Sequence, residues 1–215
     1  MEMTEPKRRG RPPLMSADER RGRIVVAAEE VFTSKGYSTA SMDDVVRACG
    51  MSKKTVYETF HSKEQIFHQI VTSSLDQAPR LDEARIGQAC GEVLLRDVLR
   101  SMAAFILSPR QVALTRLVFT ESQSAPEIAK IFFEVAVVRG QARLAETIRR
   151  IGGATPAGGR QSEELADLMV GTLLGPGFFS AILGLTVIPT QDEIHERIDW
   201  LLAILRPTLA LKKQP

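Results

Sequence analysis

A chain of 215 residues, 44% hydrophobic and 25% charged, carries enough apolar content for a substantial core and too much to be disordered. No apolar run reaches the roughly eighteen residues a membrane helix needs, and two cysteines, Cys49 and Cys90, cannot build a secreted disulfide framework. The net charge of +2 excludes a protein that coats nucleic acid by bulk charge, so any such interaction must rest on where the cations sit.

The chain opens on a basic segment, residues 1–15, expected to be a flexible arm. Lys7, Arg8, Arg9 and Arg11 cluster there around one glycine. It lacks the apolar core of a signal peptide, which together with the two cysteines sets the expectation of a cytoplasmic protein. Arg9-Gly10-Arg11-Pro12 resembles the core of an AT-hook, whose arginines enter a narrow A·T minor groove. The alternative for Arg9 and Arg11 is phosphate attraction without sequence preference.

From there on helical signals dominate and strand signals are nearly absent. The expected class is all-α, with about nine helices. Capping boxes open several of them, at Ser16–Glu19, Ser41–Asp44, Ser62–Gln65 and Thr190–Glu193. Ser108–Gln111 and Ser124–Glu127 place a proline in the first turn instead. The first helix is expected over Ala17–Lys35, with Ile24, Ala27, Ala28, Val31 and Phe32 on one face and Gly36 as a left-handed cap. The second covers Met42–Cys49 and stops at Gly50, the third Lys53–Phe60, the fourth Lys63–Gln77. Pro79 then marks a break. Longer helices follow over Glu92–Leu107, Pro109–Gln123, Pro126–Ile151, Glu163–Leu185 and Gln191–Leu211, with a Gly-rich loop over 152–161. The domains expected are a smaller N-terminal unit over 16–78 and a larger C-terminal unit over 79–215.

The third helix, "SKKTVYETF", is too short to be stable alone. Val45, Val46 and Ala48 are expected to pack inward from the second helix, and Val56 and Phe60 from the third. The other face of the third helix is then free, and it carries Lys53, Lys54, Tyr57 and Glu58 with Thr55 beside them. Lysines neutralise phosphates, and Thr and Tyr hydroxyls donate to phosphate oxygens while their carbon atoms touch thymine methyls. A helix–turn–helix over about 41–60 sends such a helix into the major groove.

The block Ile24–Val71 resembles the DNA-binding domain of the TetR family. The matching positions include the paired alanines and Phe32, Gly36-Tyr37, Ser41, Gly50, Ser52-Lys53, Thr55-Val56-Tyr57, Phe60 and Ser62-Lys63-Glu64. The resemblance implies a homodimeric transcriptional regulator, usually a repressor released from its operator by a small ligand. It also implies DNA contacts at Ser41, Ser52, Lys53, Thr55, Tyr57 and Lys63. Lys54 departs from the small residue common there and adds a cation to the same face.

The stretch Ala113–Ile148 resembles the C-terminal domain of AefR-like TetR regulators, which implies a cavity among the middle helices and dimerisation through the last two. Met102, Phe105, Phe119, Phe132 and Phe133, with Leu117, are candidates to line an apolar pocket, plain core being the alternative. Arg116 and Glu121 are charges that either meet a ligand or form a surface pair. Leu168, Thr172 and Phe179 of the eighth helix and Ile198, Leu201 and Leu205 of the ninth are the candidate dimer contacts. The proline in "GPGFF", Gly175–Phe179, is expected to kink the eighth helix. A hinge between the domains is expected near Gln77–Arg80.

No set of nucleophile, base and orienting group appears, and no phosphate loop. Glu64 and His68 share a helical spacing without further ligands, so no metal site is assigned. No catalytic residue and no cofactor is expected. The partners expected are an operator duplex, a second copy of the chain and a small apolar or aromatic ligand, with no membrane.

Overall fold

The structure is a computed structural model that describes residues 15–86, 89–151, 159–185 and 189–207. Arg9 and Arg11, and most of the Gly-rich stretch after Ile151, lie outside the described residues. The chain is all-α: α1 (Ala17–Lys35), α2 (Met42–Cys49), α3 (Lys53–Thr59), α4 (Lys63–Gln77), a 3-10 turn (Glu83–Arg85), α5 (Gly91–Ile106), α6 (Pro109–Glu121), α7 (Pro126–Phe132), a π-helical stretch (Phe133–Val138), α8 (Arg139–Arg150), α9 (Gly159–Leu174), α10 (Pro176–Ile182) and α11 (Gln191–Leu205). Among the described residues, no single helix is long and apolar enough to cross a membrane.

The nine expected helices become eleven α-helical segments because two of the long ones are interrupted. Pro176 starts a new helix at an angle of 57° to α9, having no N–H to continue the ladder. The expected kink is therefore a full break. The other interruption is the π-helical stretch. Ile128 before it and Val135 within it belong to one apolar core, and downstream Leu144, Ala145 and Ile148 belong to another. The wider turn of a π segment rotates the apolar stripe between the two.

The first core gathers α1–α4 and takes in α6 and α7 through Leu114, Leu117, Val118 and Ile128. Phe32, Tyr37 and Phe67 sit at its centre, edge to face, with ring centroids 5.1 and 5.7 Å apart. The second core is built from α5, α8, α9 and α11. Packing thus divides the molecule elsewhere than at residue 78: two helices from beyond it complete the N-terminal core.

Ser16, Ser41 and Thr190 form full capping boxes. Ser62 accepts from the Gln65 amide at 3.3 Å, but the Gln65 side chain reaches the amide of His61 rather than that of Ser62. Helix α7 begins after Ala125, which leaves Ser124 to hydrogen-bond with Glu121.

Ion pairs and hydrogen bonds clamp α6 onto the N-terminal helices. Arg110 of α6 makes a two-pronged bond to Glu29 of α1, at 2.6 and 2.7 Å, and also reaches Gln77 at 2.9 Å. At the other end of α6, Glu121 accepts from the amide of Ser38 at 3.2 Å and from its hydroxyl. Those contacts pull the Glu121 carboxyl below the usual glutamate range.

Candidate nucleic-acid interface

Helix α2 is anchored by Val45 and Cys49, both buried, with Val46 partly covered. Ala48, expected to pack inward, is exposed, and Cys49 takes that place because it lies four residues after Val45. Gly50 then adopts φ +66°, a left-handed turn that favours glycine. Ser52 caps α3 by accepting from the Thr55 amide at 3.1 Å. The helix has seven residues, held down by Val56 and by Phe60 just beyond it, with the Arg21 guanidinium 4.9 Å above the Phe60 ring.

Held this way, α3 exposes Lys53, Lys54, Tyr57 and Glu58, with Thr55 half-buried. Lys53 Nζ lies 2.8 Å from Asp43 on α2, which fixes the side chain across the turn and raises its pKa. Lys54 reaches toward Glu58 at 3.8 Å and is the more exposed of the two lysines. The result is an exposed face with two cations, a phenol and hydroxyls, suited to a groove lined by phosphates and base edges.

Two of the expected contacts are occupied within the protein. Lys63 Nζ donates to the carbonyls of Tyr37 and Ala40, both at 2.7 Å, and sits 4.6 Å over the Tyr37 ring. It staples the start of α4 to the turn before α2 instead of projecting from the surface. The Ser41 hydroxyl accepts from the Asp44 amide at 3.2 Å and donates to the Asp44 carboxylate at 2.7 Å. Hydrogen bonds from Lys35 and then Ser41 hold Asp44 far below the usual carboxylate range.

A groove between α1 and α3 adds cations that the sequence reading passed over. It is lined by Arg20, Arg21 and Arg23 together with Ser52 and Thr55. Their signal was the "ERRGR" run just before the apolar stripe of α1. No group of three or more His, Cys, Asp or Glu is placed to hold a metal ion among the described residues.

Deeper in the molecule, Met102, Phe105, Phe119 and Phe132 do line one cavity, of about 270 Å³, together with Gln111, Thr115 and side chains of α4 and α9–α10. Arg116 does not. Its guanidinium donates to the carbonyls of Ala181 and Ile182, at 2.6 and 2.9 Å, closing the end of α10. Phe133, on the π stretch, is 60% exposed and faces away. Leu117 is plain core.

Among the candidate dimer contacts, Leu168 and Phe179 are exposed and Thr172 half-buried. Ile198, Leu201 and Leu205 are buried within this chain's own second core. The apolar side chains that α11 presents outward are Trp200 and Ile204, 65% and 52% exposed. A helix apolar on two faces cannot be oriented from spacing alone, and here Ile198, Leu201 and Leu205 form the inward face.

Residues 24–70 match the model of the tetR family of bacterial regulatory proteins, and residues 93–204 match that of the AefR-like transcriptional repressor C-terminal domain. The chain is 39% identical over 59 residues to the transcriptional activator FasR of Mycolicibacterium smegmatis, and 40% identical over 63 residues to the regulator YfiR of Bacillus subtilis. These matches span 27% and 29% of this chain and only 27% and 31% of those relatives. In fold it is similar to a TetR-family regulator from Mesorhizobium loti, with a TM-score of 0.71 and 23% identity, over 87% of this chain and 97% of the other. Members of this family are transcriptional regulators and not enzymes. With its helix–turn–helix face and both halves matched, the chain belongs to the TetR family of DNA-binding transcriptional regulators.

Proposed function

We propose that the protein is a homodimeric repressor that leaves a near-palindromic operator when a small apolar or aromatic ligand occupies the cavity between its two cores. The observation that carries this reading is the double duty of α6. Gln111, Thr115 and Phe119 of that helix line the cavity, while Arg110 and Glu121 near its two ends hold Glu29 and Ser38 of the DNA-binding end. A ligand that displaces α6 therefore moves the frame that carries α3. Binding and release are then linked reciprocally, and a tenfold loss of operator affinity needs about 1.4 kcal/mol of coupling.

The dimer places two α3 helices on one side of a duplex, about one helical turn apart. Leu168, Phe179, Trp200 and Ile204 supply its apolar face, an isologous surface in which each copy covers the other. Lys53, Lys54, Thr55 and Tyr57 read the groove, and Arg20, Arg21 and Arg23 approach the phosphates.

The test is fluorescence-anisotropy titration of DNA from the gene's own upstream region against scrambled DNA, with and without a panel of apolar and aromatic compounds. Specific binding that at least one compound weakens supports the reading. Operator affinity that no compound changes counts against ligand release, and a target transcript that falls on deletion of the gene makes the protein an activator.

A further inference from the structure

The space between the two cores is a pair of adjoining chambers with unlike rims. The inner one, about 270 Å³, is apolar apart from a few neutral groups such as Gln111 and Thr115. The outer one, about 510 Å³, shares with it Leu75, Met102, Phe105, Ile106, Ala136 and Gly140. Its rim differs: Arg80, Arg143 and Arg150 stand there with two carboxylates, Glu146 in the lining and Asp76 beside it. Glu146 is itself 2.8 Å from Arg149. An apolar wall that ends in a ring of guanidinium groups selects for both a carbon skeleton and a negative charge.

Asp76, near the end of α4, is the anion that the rim now holds. Its Oδ1 accepts from Arg80 at 3.3 Å and from Arg143 at 3.0 Å. Arg143 also donates to the carbonyl of Leu75 at 2.5 Å. Each guanidinium has five N–H donors in a planar fork, so both retain donors that point away from these partners. Both side chains are also partly open to solvent, within reach of an arriving ion.

We propose that the ligand is an amphipathic carboxylate, its apolar body lying against the wall shared by the two chambers and its charged end held by Arg80 and Arg143. The proposal rests on the reading of this cavity as the ligand site and adds the ligand's chemical class. The incoming carboxylate replaces Asp76 as the partner of the two arginines. The exchange loosens the end of α4 from α8, at the place where the chain passes from the DNA-binding domain into the rest of the molecule.

The test is calorimetric titration of the full chain, free of DNA, with decanoate and with decanol, which share a skeleton and differ in charge. Decanoate is expected to bind about tenfold more tightly, equivalent to about 1.4 kcal/mol. Arg143→Gln and Arg80→Gln are expected to remove that preference and leave decanol binding unchanged. Asp76→Asn, which removes the competing anion, is expected to strengthen decanoate binding severalfold, an effect that loss of a structural contact does not produce. Ala136→Phe, which fills the shared wall, is expected to abolish binding of both. Should decanol bind as well as decanoate, or the preference survive in both arginine variants, the carboxylate assignment is overturned while the cavity reading stands. If both compounds bind Ala136→Phe as they bind the wild type, the cavity is not the site and both readings fall. No binding of decanoate up to its solubility limit overturns the proposal outright.

Discussion

Lys63 Nζ has three protons and the carbonyl oxygens of Tyr37, Ser38 and Ala40 around it, whereas Lys54 Nζ faces Glu58 at 3.8 Å. Two lysines nine residues apart in one short motif thus have different work. Lys63→Ala is expected to cost about 1–2 kcal/mol of stability, seen in urea unfolding, because charged donors leave three carbonyls. It should leave the salt dependence of operator binding as it was. For Lys54→Ala the expectation is the reverse: an unchanged unfolding midpoint and, where it meets a phosphate, a slope of log K against log salt smaller by about 0.9. Finding the two phenotypes exchanged would sink the assignment of both residues. The types and spacing of α3 were legible in the sequence because each residue there acts through its own helix. Lys63 was not, since its partners lie more than twenty residues upstream in a turn whose carbonyls only the fold directs at it.

Among the elements, α6 carries the most consequence for function, and little of that was legible. Its start at Ser108-Pro109 was plain, because a cap and a first-turn proline are local signals. That its two ends clasp α1 and the turn at Ser38 is a matter of tertiary placement, and Glu121 could be read only as a ligand contact or a surface charge. The clasp has a pH signature. The Glu121 carboxyl is lowered in the folded chain, first by the Ser38 hydroxyl. A lowered carboxyl contributes stability that is present above its unfolded value, about 4.3, and lost as pH falls through the folded value. Acid unfolding of Glu121→Gln is therefore expected to show a shallower loss over that window than the wild type, and identical acid limbs would show that the contact carries no folding free energy. The π stretch was out of reach, since that helix was read to its full length on one periodicity, whereas Pro176 was legible as a kink and only its extent, a full break, was not. Ile128 and Val135 serve one core, and Leu144 and Ile148 another.

For the whole molecule, an all-α chain with a DNA-binding N-terminal end follows from patterning, but which apolar face packs inward and which stays exposed does not. Ile198, Leu201 and Leu205 share α11 with Trp200 and Ile204, and only packing against α5 and α9 decides that the first three turn inward. A charge on the outward set should then divide the protein without unfolding it. The proposed dimer predicts that the wild type sediments as a dimer and Trp200→Glu as a monomer at the same concentration, and that the variant loses operator binding because one α3 alone reaches one half-site. A variant that remains dimeric with full operator affinity would move the interface elsewhere.

Trp200 is also the chain's one tryptophan, and it stands on that outward face, away from the cavity between the cores. In the proposed dimer this intrinsic fluorophore lies at the contact surface. On dilution its emission should shift to the red as the indole passes from a covered to a hydrated setting. The same emission should stay nearly silent when a small molecule enters the cavity, so that association and ligand uptake can be followed separately in unlabelled protein.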